Sequence, residues 1–270
     1  MRGWFSRDYE PVATLQPGEP VVFQARNAGW YWDADDEPER PQNAGHALEG
    51  PWEVRGARAG ATLVVHVDEV TPRGWGATFA PDVKLMWSLE GETWVSERGA
   101  RVRSAPFLGV IGMPPPEPGE HSTTPPRRFG GNIDCKDLVA GTTLYLPIPV
   151  DGALLMAGDG HGAQGDGEVS GTAIECPVSA QLTLDVRDDI ELEWPFARLP
   201  HAWLTFGFDE HLGRAARIAV DGMLDLMERE LGMTRADALA FASVVVDLRV
   251  TQVVNGVLGV HAVLRDDAFL

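Results

Sequence analysis

The chain has little cysteine and little positive charge, and each shortage removes a class of protein from consideration. Its two cysteines, Cys135 and Cys176, stand far apart and form no CxxC spacing. That excludes a disulfide framework and a four-cysteine zinc site. Both are expected to fill small buried apolar positions in a reducing cytoplasm. Against 40 Asp and Glu there are only 22 Lys and Arg, a formal charge of −18. A surface of that sign repels polyphosphate, so nucleic acid and anionic membranes are not expected partners, and a small neutral ligand is. Long hydrophobic runs are missing as well. No stretch approaches the ~20 apolar residues of a membrane helix, and the opening MRGWFSRDYE has no apolar signal core.

What the chain does have is 30 glycines and 20 prolines spread along 270 residues, with short Val- and Leu-rich runs between them. This punctuation predicts a mostly β chain with many turns. Strands are expected at 20–25, 62–70, 143–148, 180–186 and 260–264. An exposed acidic loop is expected at 27–43, and stiff proline-rich walls at 113–118 and 123–128. Only 209–231 has a strong helical period, in Leu212, Ala216, Ala219, Met223, Leu226 and Met227. Asp209 is its expected N-cap and Gly232 its stop. A second helix should begin at Thr234 with Asp237 completing a capping box, and its Leu239 and Phe241 are expected in the core. Together these predict a sheet-dominated body with a helical cover near the carboxyl end. The division expected is a β-rich subdomain over 1–140 and an α+β subdomain over 141–270, one compact unit with the site between them.

Chemistry-bearing residues concentrate in a few places. GDGHGAQGDGE, residues 158–168, packs five glycines around two aspartates, a histidine and a glutamate. Such a segment is a site or a tight set of turns. Within it, Asp159 and His161 alternate, so both side chains leave one side of an extended backbone; carboxylate with imidazole suits zinc. Asn132 and Asp134 alternate in the same way after the glycine pair Gly130-Gly131. Glu168 and Glu175 flank an apolar run, where a carboxylate needs a cation, a donor or a raised pKa. His121 stands beside Ser122 and Thr123, but no GxSxG elbow is present to make a serine nucleophile.

GEHSTTPPRRFGGNIDCKDL, GDGHGAQGDGEVSGTAIE, the DLRVTQVVN run ending at Asn255 and GVHA at 259–262 together resemble the acetamidase/formamidase family. His46-Ala47-Leu48-Glu49-Gly50-Pro51 is similar to an upstream segment of the same family. The resemblance implies a β-sandwich-like, jelly-roll type body with an α+β carboxyl part carrying two helices. It also implies a hydrolase of small aliphatic amides such as formamide or acetamide; the cytoplasmic location is expected from the cysteine usage above. Matched to the family motifs, Asp134, Asp159, His161 and Glu168 are expected to hold a metal ion, zinc before calcium, together with an attacking water. Glu175 is the expected general base, with Asn132 and Glu168 as further catalytic groups. His46, His121, Gln164 and His261 are the expected substrate contacts. A homo-oligomer, a dimer, is the expected assembly. The alternatives are the same chemistry on a lactone or cyclic amide, and a non-catalytic β-sandwich holding calcium on its Gly/Asp loop.

Overall fold

A computed structural model describes residues 1–269. In chain order the strands are β1 (Ala13–Leu15), β2 (Glu19–Ala25), β3 (Leu48–Val54), β4 (Thr62–Pro72), β5 (Trp75–Ala80), β6 (Val83–Glu90), β7 (Thr93–Ser96) and β8 (Arg101–Arg103). They continue with β9 (Phe107–Gly112), β10 (Gly130–Asn132), β11 (Thr142–Pro147), β12 (Leu155–His161), β13 (Val178–Arg187), β14 (Phe196–Leu199) and β15 (Ala202–Asp209). Helices α1 (Leu212–Leu231) and α2 (Arg235–Val245) precede the last two strands, β16 (Val246–Gln252) and β17 (Leu258–Arg265). The chain is therefore mainly β, with both helices near the carboxyl end.

The described strands form three sheets. One has eight strands in the order β16-β17-β15-β14-β11-β4-β13-β2, one has five in the order β1-β3-β12-β9-β10, and one is a four-stranded meander, β5-β6-β7-β8. Alternation explains the largest sheet. Along β13, Val178, Ala180, Leu182 and Leu184 are buried while the residues between them are half-buried, the period expected of a strand with one face in a core. These side chains join Leu63 and Val65 of β4, Leu144 and Leu146 of β11, and Leu108, Ile111, Leu155 and Ala157 of the five-stranded sheet in one apolar cluster. The other face of β15 and β17 carries the helices. Ala215, Ala219, Met223 and Met227 of α1 cluster with Val260, Ala262 and Leu264 of β17. Gly207 makes that contact possible: a Cβ there would stand 2.0 Å from the Ala215 carbonyl oxygen.

Several expectations are corrected. Residue 140 does not divide the sheets, because β2 and β4 pair into the sheet of β11 and β13, while β12 pairs into the sheet of β3 and β9. Asp209 is not the N-cap of α1. Pairing with Leu258 extends β15 through Asp209, and the helix starts at Leu212 with His211 as its cap residue. The Asp209 side chain instead accepts from the His211 amide at 2.8 Å. Gly232 does end α1 in the left-handed conformation, and Thr234 does cap α2 by accepting from the Asp237 amide. Leu239 and Phe241 face outward, exposed by 53% and 45%. Only the Ala238 and Ala242 face of α2 is buried. No described helix is long and apolar enough to cross a membrane.

Candidate functional site

The two central strands of the five-stranded sheet, β9 and β12, are buried at every position. They carry the chemistry to the middle of the molecule. Asp159 and His161 leave the end of β12 on one side, as their spacing predicts, and Asp134 follows β10 by two residues. The loop after β12 supplies Gln164 and Glu168 and then returns as an extended segment at Glu175. The Glu175 backbone bridges His161 on one side and Ala77 of β5 on the other, which couples the meander to the site. Asp134, Asp159, His161, Glu168 and Glu175 are all buried.

Three of these acids hold unusual backbone: Asp134 has φ 52°, Asp159 φ 60° and Glu168 φ 43°. Left-handed conformations at non-glycine residues cost about 1–3 kcal/mol each and persist where the surroundings over-determine them. At the floor of the site lies Gly109 of β9. A Cβ there would stand 2.7 Å from both Asp134 Oδ1 and Asp159 Oδ2, and 2.9 Å from His161 Cε1. The residue therefore keeps a cradle open between the two aspartates.

The donor atoms of Asp134, His161 and Glu168 lie within 4.8 Å of one another, as do those of Asp159, His161 and Glu175. His161 Nε2 is 3.4 Å from Asp159 Oδ2 and 3.3 Å from Glu175 Oε1. Its Nδ1 faces Gln164 Oε1 at 3.0 Å, and Gln164 Nε2 donates to the Asp134 carbonyl at 2.7 Å. With the amide so oriented, Nδ1 carries the proton and Nε2 points a lone pair, or a second proton, at the carboxylates. Asn255, from the loop after β16, donates to Asp134 Oδ2 at 2.6 Å. His46 Nε2 lies 3.9 Å from Asp159 Oδ2. Its ring and backbone nitrogens are fixed by Thr123 Oγ1 in the expected proline-rich wall.

Four carboxyl groups around one buried imidazole leave a large deficit of positive charge. Without a further cation, protons must make it up. Burial raises the Asp134 carboxyl to about 7, a rise that Asp159 reinforces and His161 opposes. Glu168 is raised to about 9, by burial and then by the charge of Asp134. Burial also raises Glu175 against the pull of His161. Asp159 goes the other way: burial resists its ionisation, but His161 and His46 outweigh it and hold the carboxyl below its ordinary range. His161 is raised well above its ordinary value, because Glu175 and Asp159 overcome the burial that would lower it. Oxygen atoms of three of these groups, Asp134 Oδ1, Asp159 Oδ1 and Glu175 Oε2, are buried with no hydrogen-bond partner among the described residues, as is Asn132 Oδ1. Orphaned carboxylate oxygens beside an oriented imidazole and an open cradle are donor types that could hold a divalent cation.

The sequence thus predicted five acidic or imidazole groups that the fold brings together, with Gln164 and His46 against them. His121 lies elsewhere: its backbone pairs with Phe5 and its Nε2 meets the Glu117 carbonyl. His261 belongs to a neighbouring group with Cys135 and Asp137, where Thr251 Oγ1 meets its Nδ1 at 2.8 Å. Gly109 and the Asn255 side chain were not identified from the sequence. Gly109 stands in an unremarkable apolar run, and Asn255 reaches Asp134 across 121 positions of chain.

Comparison with known proteins agrees with the motifs. The model described as the acetamidase/formamidase family matches residues 117–200. An acetamidase of Mycolicibacterium smegmatis is 24% identical over 242 residues, covering 60% of this chain and 60% of that protein. A putative formamidase of Schizosaccharomyces pombe is 27% identical, over 58% of this chain and 56% of its own length. The chain thus spans about three fifths of the length of these curated relatives. A solved acetamidase from Bacillus halodurans superposes with a TM-score of 0.88 at 28% identity, covering 97% of this chain and 94% of that one. The chain is therefore similar to the acetamidase/formamidase family, with the family match in the segment that carries Asn132, Asp134 and the acidic loop, and with the fold of a solved acetamidase over nearly its whole length.

Proposed function

We propose that this chain hydrolyses small aliphatic amides of the formamide and acetamide class to a carboxylate and ammonia, using a zinc-class cation held by Asp134, Asp159, His161 and Glu168. The observation that carries this reading is the group of buried carboxylates with orphaned oxygens around His161, in a chain whose relatives are named for amide hydrolysis. Calcium is the poorer fit, since it takes six to eight oxygens and has little use for the imidazole that stands at the centre of both groups. A bound zinc-class ion supplies Lewis-acid polarisation and a lower pKa for water.

The remaining work falls to the chain's own residues. Glu175 Oε2 has no hydrogen-bond partner among the described residues, and burial raises the proton affinity of its carboxyl. It takes a proton from the attacking water and returns it to the departing nitrogen. The water oxygen becomes the second oxygen of the carboxylate, the C–N bond breaks, and both water protons end on the released nitrogen, so that ammonia leaves as ammonium. The Asn132 side-chain amide is the proposed donor to the developing oxyanion. Gln164 holds His161 in one tautomer, and His46 borders the site beside Asp159 as the substrate contact.

Ammonia release from formamide and acetamide, run beside ester and lactone turnover and metal analysis of the purified protein, tests the scheme. Ammonia release and a stoichiometric metal ion are expected, both lost in His161→Ala and in Asp134→Asn. Metal retained in both variants, or no ammonia from any short amide, overturns it.

A further inference from the structure

Beside the acidic site opens a cavity of 410 Å³ between the four-stranded meander and the loop that carries Glu168. Trp87 and Val102 of the meander form one wall, and Ala163 and Ile174 the other. The polar atoms of these walls are already used. Trp87 Nε1 donates to Thr78 Oγ1 at 3.1 Å, and that hydroxyl donates to the Ala173 carbonyl at 2.6 Å. Gln164, at the inner end, spends both ends of its amide on His161 and Asp134. The Glu168 carboxyl lines the same end, belongs to the group with Asp134 and His161, and receives no hydrogen bond among the described residues. Asp166, Ser170 and Thr172 at the rim are also engaged, the first by Arg249 and Lys136 and the others by backbone carbonyls, so the cavity has apolar walls, a polar rim already paired, and at its inner end the Glu168 carboxyl of the acidic site.

Formamide fills little of such a space. At about 30 Å³ for a water-sized group, it occupies on the order of three such volumes and buries almost no wall. We propose that this chamber is the acyl pocket of the enzyme, and that its preferred substrates are primary amides bearing an apolar acyl chain of several carbons. This rests on the amide reading and refines it: the carboxamide sits at Glu168 and the hydrocarbon lies between Trp87 and Ile174. An aliphatic tail suits the chamber because it asks for no hydrogen bond that the walls cannot supply.

The test compares kcat/KM for acetamide and hexanamide in the wild-type protein and in Val102→Trp, which narrows the chamber from an exposed edge strand. One methylene in an apolar pocket is worth about tenfold or more, so hexanamide is expected to exceed acetamide by at least about 100-fold. Val102→Trp is expected to reduce that ratio by about tenfold or more. A wild-type ratio near one, or a ratio that Val102→Trp leaves alone, overturns the proposal; ammonia released from acetamide in that case leaves the amidase reading standing. If no amide is turned over, the amidase reading fails, and binding of hexanoate against acetate by calorimetry decides the pocket. Tighter binding of hexanoate, weakened by Val102→Trp, supports an acyl chamber. Equal affinities, as would follow if a second copy of the chain covered the cavity, overturn it.

Discussion

The α1 layer and the acidic site are buried to the same depth and are built on opposite principles. Where α1 lies on β15 and β17, the buried atoms are hydrocarbon, and the polar exception, Thr205, donates its hydroxyl to the Ala219 carbonyl at 2.7 Å. Each large side chain removed from water there contributes about 1.5–3 kcal/mol. At the acidic site, carboxylates are removed from water with oxygens left unpaired, and each such group costs stability rather than adding it. The helix layer is complete as folded. The acidic site reaches charge balance only with protons or an added cation, which sets it apart from the helix layer and is the basis of the reading proposed for it.

The sharpest way to break this comparison is Glu175→Gln, which keeps the shape and removes the proton acceptor. General-base catalysis contributes roughly 10²- to 10⁴-fold, so kcat/KM for amide hydrolysis should fall by that much. The thermal midpoint should change little, because the amide keeps the volume and can still accept from the Ala173 amide, and the pairing lost with His161 is set against the relief of a buried carboxylate. Unchanged turnover would show that Glu175 is structural. Met223→Ala in the helix layer should do the reverse. Met223 is fully buried, so truncation should lower unfolding free energy by about 2–5 kcal/mol while the folded fraction keeps its activity per molecule. Denaturant melts of the two variants side by side measure the contrast. A Glu175→Gln protein as unstable as Met223→Ala would place both regions in one class.

How far each region could be read from the sequence follows from the same physics. The strands β11 and β13 alternate between a core and a half-buried face; the expected span 143–148 overlaps the observed Thr142–Pro147 and overruns it by one residue, and 180–186 falls within Val178–Arg187. The strands β9 and β12 are buried on both faces, so they show no alternation, and the glycines of β12 resemble turns when read without their neighbours. The helix layer was visible in the spacing of Ala219, Met223, Leu226 and Met227, but its start was not. The pairing that carries β15 through Asp209 comes from β17, and the sequence around Asp209 gives no sign of it. The site acids were legible because two dense motifs hold them. The positive φ at Asp134, Asp159 and Glu168, the cradle over Gly109 and the reach of Asn255 are consequences of long-range packing, for which one sequence has no local signal.

Acidity offers a gentler way to sharpen the comparison. In metal-free protein the raised carboxyls of Asp134, about 7, and Glu168, about 9, bind protons in the folded state that the unfolded chain has already released. Between the ordinary carboxylate range near 4 and pH 9, the folded state therefore binds more protons than the unfolded one, and stability falls as pH rises. Thermal midpoints of chelated protein should decline across that window. Midpoints with zinc added should decline less, since the cation takes the place of the protons. A metal-free midpoint that climbs with pH would mean that these carboxyls are ionised and satisfied by the protein itself.

The smallest expected effect belongs to Gln164, which touches the site only through its neighbours. Its amide fixes the His161 ring from Nδ1 and ties that ring to the Asp134 backbone. Outer partners of metal-binding histidines are worth about 10- to 100-fold in affinity, so Gln164→Ala should weaken zinc binding by that factor in a competition titration. Gln164→Glu should restore part of the loss, because a carboxylate accepts the same Nδ1 proton, though it cannot donate to the Asp134 carbonyl. Equal affinity in all three proteins would mean that the imidazole is held by packing alone. Its edge-on contact with the Phe107 ring, 4.9 Å between centroids, would then be the reason, and the acidic site would share more with the helix layer than its charges suggest.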